Sequence, residues 1–373
     1  MRWLGESPGT HVSDLRVERV AGKNRVCALV DGDRLWYTCD DIELVAAPEA
    51  FGSWLLLPSL HNKRRLKIDP PVSETWRSNA TRLVAVWASW WGYKTPELDV
   101  TTRRDEQPVA SEYALAFSCG VDSFHALCIG PKPDLFVGVQ GFDIGLDDEF
   151  RMMAFASSVE AVAAETGARW TTVRTNLRTH RSAGRPWLWE RSHGGALASV
   201  AHLLGGRIGR FGVAATYSER SQRAWGSTID TDPLFSSDRV AIEHVGSSDH
   251  REQKIRLLAG NALAQRHLRV CWANLSKSGN CSQCGKCLAT MLLLAELGAL
   301  DDFPVFNPTR SLPAALDALP HLKTQINIID RLVKRGTLPQ EISDAAGRLV
   351  IRSRKAARFR KLRGYAQPQM LDD

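Results

Sequence analysis

Six consecutive residues, Ser118-Cys119-Gly120-Val121-Asp122-Ser123, place two hydroxyls, a carboxylate and a glycine where one kind of local pattern gives way to another. Before them runs a short apolar segment, Tyr113 to Phe117; after them Phe124, Leu127 and Cys128 recur at helical spacing. The first backbone N–H groups of a helix have no partner within it and carry the positive end of the helix dipole, so such a junction attracts anions. Gly120 lets the backbone approach a ligand, Ser118 and Ser123 add hydroxyl donors, and Asp122 can cap the helix or hold Mg²⁺. A polyphosphate suits this strand–loop–helix turn.

A second cluster lies 150 or so residues on: Cys271, then Cys281-x₂-Cys284-x₂-Cys287. Four cysteines within seventeen residues of a long chain read as a metal site rather than a disulfide framework. Four thiolates close a tetrahedral Zn²⁺ shell, which makes the site structural first. An iron–sulfur cluster takes the same ligands, and redox-active thiols are a third reading. Gly285 allows the knuckle to turn, and Lys286 offsets part of its negative charge.

The elements that must carry these residues follow from periodicity. The chain has 373 residues, enough for two or three domains, with 44% apolar and 24% charged residues. Nothing approaches the roughly 20 apolar residues of a membrane span, and the first residues lack the apolar core of a secretory signal, so a cytoplasmic protein with no membrane contact is expected. The formal charge of +7 is unevenly placed: residues 346 to 371 hold eight basic groups and no acid, leaving 40 basic against 41 acidic groups elsewhere. That basic tail reads as a final helix over 341 to 363, and RNA contact is one role for it.

Residues 15 to 45 alternate as strands with a hairpin turn at Asp31-Gly32-Asp33, the segment Trp54 to Pro58 reads as a further strand, and Ser73 to Trp91 as a helix whose tryptophan stripe packs in a core. Thr101 to Pro108 reads as a linker. From Tyr113 strands and helices alternate: strands at 134–139, 170–175, 211–216 and 240–245, helices at 149–164 and 193–204. This pattern predicts an α/β fold with a doubly wound parallel sheet. Ligands of such sheets lie beyond the carboxyl ends of the strands, which nominates Ser118, Gly141 to Asp143, Arg174 to Asn176 and Thr216 to Ser218. The loop Arg178 to Ser192, with Arg181, Arg185, Trp187 and Trp189, reads as a lid or an anionic-substrate contact, and His193-Gly194-Gly195 as the opening of the next helix. Glu219, Asp230 and Asp232 lie in another candidate substrate loop.

Ser118, Gly120, Asp122 and Ser123 match the SGGxDS signature of the PP-loop ATP pyrophosphatase superfamily, which this stretch resembles; Cys119 stands where the first glycine is usual. With the later cysteines, residues from about 112 to 298 are similar to the 7-cyano-7-deazaguanine synthase branch. The resemblance implies a PP-loop fold that binds ATP with Mg²⁺ through residues 118 to 123, with Phe142 and Asp143 near the adenine or ribose. It implies Ser118, Asp122, Ser123 and Lys254 in catalysis, and Zn²⁺ on Cys271, Cys281, Cys284 and Cys287. An N-terminal region of about 110 residues and the basic tail have no counterpart in that branch.

The expected organisation is a β-rich domain with a tryptophan-rich helix (1–108), an ATP-binding domain (109–270), a Cys₄ knuckle with helices (271–340) and the tail (341–373). The expected activity is an AMP- and pyrophosphate-forming ligase that adenylates a small-molecule carboxylate for attack by ammonia, giving an amide or nitrile. No G-x₄-G-K-[ST] string is present, which disfavours β–γ cleavage. Thiolation of a nucleobase in RNA and a non-catalytic nucleotide sensor are the alternatives, and a homodimer is a further option.

Overall fold

The computed structural model describes residues 9–94, 97–105, 109–184, 188–271, 273–276, 279–322 and 324–362, with side chains to 359. The strands are β1 (Thr10–Val20), β2 (Lys23–Val30), β3 (Asp33–Cys39), β4 (Leu66–Ser73), β5 (Leu98–Arg103), β6 (Glu112–Ala116), β7 (Leu135–Gln140), β8 (Arg169–Thr175), β9 (Ile208–Ala214) and β10 (Ala241–Val245). The helices among the described residues are α1 (Pro48–His61), α2 (Glu74–Trp91), α3 (Val121–Ile129), α4 (Glu149–Thr166), α5 (Trp189–Leu203), α6 (Arg251–Ala259), α7 (Ala262–His267), α8 (Gly285–Glu296), α9 (Leu312–Ala318), α10 (Ile326–Arg335) and α11 (Gln340–Leu362). The fold is α/β with a large, mostly parallel sheet. None of these helices is long and apolar enough to cross a membrane.

The chain divides into two compact units, one of Met1–Phe117, Ile129–Glu149 and Ala163–Ser247, the other of Ser118–Cys128, Phe150–Val162 and Ser248–Asp373. The first holds the whole ten-stranded sheet, ordered β10-β9-β6-β7-β8-β3-β2-β1-β4-β5. Pairings β1–β2, β2–β3 and β3–β8 are antiparallel; the other six are parallel. The sheet is therefore continuous across position 108. Its join is β3 on β8, with Tyr37 opposite Thr175 and Cys39 opposite Val173. The Asn176 side chain extends that ladder, accepting from Trp36 N at 2.9 Å and donating to Arg34 O at 2.9 Å.

Both N-terminal hairpins close through two residues at positive φ, Ala21-Gly22 and Asp31-Gly32, the turn whose twist matches paired strands. The helix expected over 73–91 forms as α2, the Ser73 hydroxyl caps it by accepting from Trp76 N, and Trp76 and Trp87 of the tryptophan stripe are buried in the core. Two segments differ from expectation, and one strand has no counterpart among the expected elements. Trp54 to Pro58 lies inside α1, a helix buried on nearly every side, so it has no polar face to reveal its period. Leu66 to Ser73 forms β4 despite two prolines, and the register shifts between Ile68 and Val72 where they fall. Residues 101–103, read as linker, complete β5, whose place at the sheet edge accounts for its polar composition.

In the second unit α10 and α11 pack together, as do α9 and α11. The tail is helical as expected, yet much of its charge is engaged there. Arg348 pairs with Asp317 at 2.6 Å, Arg354 with Asp330 at 2.7 Å, and Arg352 donates to the carbonyls of Leu316 and Leu319. The side chains of Arg360 and Lys361, and all of Arg363, lie outside the described residues.

Two outcomes follow for stability. A methyl group on Gly195 of α5 would run into the Ser53 carbonyl of α1. Gly195→Ala should thus destabilise the protein by about 1–3 kcal/mol in denaturant unfolding, the reverse of the gain of up to ~1 kcal/mol that helix propensity alone gives. Burial holds His125, His180, His193 and His202 below the ordinary imidazole value of 6.5. The unfolded chain therefore takes up protons that the folded one refuses. Stability should be complete above pH 6.5 and fall as the pH drops from there; melting temperature against pH measures this, and His202→Gln should flatten the slope.

Candidate functional site

The loop of residues 118–123 opens α3. Phe124 N donates to Gly120 O at 2.9 Å, which starts the helix, and Ser123 Oγ donates to the same carbonyl at 3.1 Å. Ser118 N lies 3.4 Å from Ser123 Oγ, and Gly120 N donates to Ser118 Oγ at 3.3 Å, so the two hydroxyls brace the turn from inside. Val121 is buried as the first helical residue, while Ser118 is exposed.

Cys119 adopts φ +57°, the left-handed conformation a glycine would take at that place. A side chain there costs on the order of 1 kcal/mol. Two contacts offset it: the Cys119 carbonyl accepts from Arg269 N at 2.7 Å, and the thiol is buried. Burial pushes that thiol's pKa up to about 12, only partly countered by Arg269, which makes Cys119 a poor nucleophile.

Asp122 faces a group of cations. Its Oδ1 is 3.1 Å from Lys254 Nζ and its Oδ2 3.6 Å from Arg251 Nη1. Burial works to raise its pKa, but Lys254, Arg251 and Lys286 together hold it below the usual carboxylate value. The Lys254 side chain has no solvent exposure, whereas Asp122 keeps 25%, so a ligand reaches the carboxylate and not the ammonium. Lys254 therefore positions and ionises Asp122. Close by, His125 Nε2 lies 2.9 Å from Asp249 Oδ2, with His125 Nδ1 buried and unpartnered. Sequence reasoning missed Arg251, Arg269 and the His125–Asp249 pair. Arg251 stands three residues before Lys254 on α6 and Asp122 three before His125 on α3, spacings that share a helix face, but nothing local shows that those faces meet.

The four cysteines converge, their sulfurs all within 4.8 Å of one another. Cys271 to Cys284 and Cys281 to Cys287 are 3.9 Å apart, and Cys284 to Cys287 3.5 Å. Tetrahedral zinc with bonds near 2.3 Å requires sulfurs about 3.8 Å apart, so the donor set fits. Hydrogen bonds from Cys284 and Cys287 draw the Cys271 thiol down, while hydrogen bonds with Cys271 and Cys284, and then burial, push Cys287 up; a central dication would take all four as thiolates. Asn280, just before Cys281, accepts from Val270 N and donates to Leu268 O, both at 2.8 Å.

Phe142 and Asp143 belong to the sheet-bearing unit. The Phe142 ring meets Trp189 edge-on at 5.0 Å, and Arg178 lies over Trp189 at 4.4 Å while donating to Phe142 O at 3.1 Å. Asp143 Oδ1 is 3.7 Å from Arg178 Nη1. Trp189 opens α5, so His193 sits a turn inside the helix and is no cap: its ring packs between Trp189 and Trp225. Arg181 is committed to the β2–β3 turn through Val30 O, Asp31 O and Asp33. Arg185 and Trp187 lie outside the described residues. Glu219 receives the Ser247 hydroxyl at 2.9 Å, and Asp232 is fully buried against His244 and Ser227, a structural rather than a substrate-facing placement; Asp230 is exposed.

Comparison with protein-family models, characterised proteins and solved structures gives no match to this chain.

Thiol labelling checks the loop geometry. In the native protein iodoacetamide should modify Cys128, exposed near the end of α3, while Cys119 reacts only on unfolding. Rapid native labelling of Cys119 would contradict its burial.

Proposed function

We propose that the 118–123 loop is a PP-loop and that the protein is an ATP-dependent, AMP- and pyrophosphate-forming ligase acting on a carboxylate. The observation that carries the reading is the ionised Asp122 at a helix start, fixed by Lys254 and Arg251 behind a left-handed Cys119. The strand order supports it: β8-β7-β6-β9-β10 follows the 3-2-1-4-5 arrangement of doubly wound folds, and the loop follows β6, where that order reverses.

In this reading a substrate carboxylate oxygen attacks the α-phosphorus of ATP, the α–β bridging bond breaks, and pyrophosphate leaves. Ammonia then attacks the acyl carbon, AMP departs, and the nitrogen gives up a proton, leaving an amide; a nitrile requires the further loss of water. The N–H groups at the start of α3 and the hydroxyl of Ser118 meet charge on the departing pyrophosphate, and Arg251 adds to the positive field. Mg²⁺ bound with ATP would neutralise phosphate charge, and Asp122 is the residue that would hold it. Zn²⁺ on the four cysteines takes no part in the chemistry, because four protein ligands leave no open position.

The buried, high-pKa thiol of Cys119 argues against the RNA-thiolation alternative wherever that needs Cys119 as sulfur carrier.

Turnover of α-labelled ATP with Mg²⁺, ammonium and a small-molecule extract tests the proposal. AMP is the expected product; ADP would overturn it, and AMP formed only with an RNA fraction would favour nucleobase modification. Lys254→Met, which keeps the buried stem and removes the ammonium, should lower AMP formation by about 10–100-fold, as losing the partner that orients a ligand-binding carboxylate does.

A further inference from the structure

We infer that Asn280 and Arg269 make the shape of the 118–123 loop depend on the four-cysteine knuckle, so that a metal bound there positions the loop as well as closing its own fold. The inference concerns loop order, and its functional weight rests on reading the loop as a pyrophosphate site.

The connection is a short ladder. Asn280 grips the segment before Cys271 on both sides of Arg269, accepting from Val270 N and donating to Leu268 O. Its amide also reaches Val305 O at 3.3 Å. Between those two grips the Arg269 N–H projects to the Cys119 carbonyl at 2.7 Å. Cys271 follows this segment and Cys281 follows Asn280, so drawing both sulfurs to one ion fixes the spacing of the two arms that Asn280 bridges.

Cys119 is the place where the tether matters. A residue with a β-carbon holds φ +57° only where its surroundings impose it. Without the Arg269 bond the residue is free to relax toward right-handed backbone, which re-aims the amides of Gly120 to Asp122. A glycine at 119 would hold the same turn with less help. Cysteine at this position and the ladder from the knuckle therefore belong together.

Hydrogen exchange read by mass spectrometry tests this directly on the full chain. Compared with zinc-loaded protein, both the chelated protein and zinc-loaded Asn280→Ala should exchange residues 118–124 at least about tenfold faster, the change that loss of a buried hydrogen-bonded clamp gives. Exchange in α9 to α11 should stay unchanged. Asn280→Ala, shown by metal analysis to keep one zinc per chain, separates loss of the ladder from collapse of the knuckle. Unchanged loop exchange in that variant overturns the inference. Titration with inorganic pyrophosphate is a separate arm. Native protein that binds it, with affinity at least about tenfold weaker in Asn280→Ala, supports both readings. Native protein that fails to bind it, while its loop still responds to Asn280→Ala in exchange, refutes the pyrophosphate site and leaves the coupling standing.

Discussion

Lys254 ends in an ammonium that solvent does not reach, and an isolated buried charge of this kind is expensive enough that it must be paired. Asp122 supplies the partner, and breaking such a pair typically costs about 3–5 kcal/mol. That requirement fixes α6 against the start of α3. It leaves little freedom for the loop between them and the carboxylate. The pairing also acts in the other direction: Lys254 and Arg251 keep Asp122 charged despite its burial, so the loop presents a fixed anion beside the partial positive charge of a helix start. The phosphate site proposed above rests on this one carboxylate, whose charge Lys254 and Arg251 set.

The placement of Lys254 has its own support. Two residues earlier on α6, Glu252 is held by Arg331 at 3.0 Å and by Arg335, both from α10, and Arg335 reaches on to Glu296 of α8 at 3.1 Å. Glu252 is largely buried, and its pKa is lowered because these guanidiniums overcome the effect of burial. The helix that carries Lys254 is thereby pinned to α8, whose first turn carries Cys287. Rigid support of this kind is what lets a single ion pair hold a geometry instead of sampling several.

The loop and the cysteine cluster were legible in the sequence because their chemistry lies in residue type and short spacing: a hydroxyl–glycine–acid run after an apolar segment, and thiols two residues apart. The parallel strands from β6 onward were legible for a similar reason, since each is a short apolar run between polar turns. Trp54 to Pro58 was not, because burial on all sides erases the helical period that distinguishes α1 from a strand. Nor were β4 and β5, whose prolines and polar residues suit a bulged, edge position that only the assembled sheet defines. His193 was misplaced because α5 begins at Trp189, without a capping side chain to mark its start. Arg251, Arg269 and Asn280 are ordinary polar residues in sequence. Their meaning comes from what lies across from them.

Cys119 shows how a local rule can be broken without losing the structure it usually secures. Glycine is favoured in a left-handed turn because it has no β-carbon to strain, so the turn forms whether or not anything else holds it. With cysteine the turn is the less favoured local state, and its persistence has to come from tertiary contacts, here the Arg269 amide and burial of the thiol. The two solutions give the same backbone at rest but differ in what can disturb it. A glycine loop is indifferent to its neighbours, whereas this loop is ordered only while residues 268–270 stay in place. Because those residues lead into the first of the four cysteines, a cysteine at 119 ties the conformation of the turn to the segment that enters the knuckle, where a glycine would leave it to its own backbone.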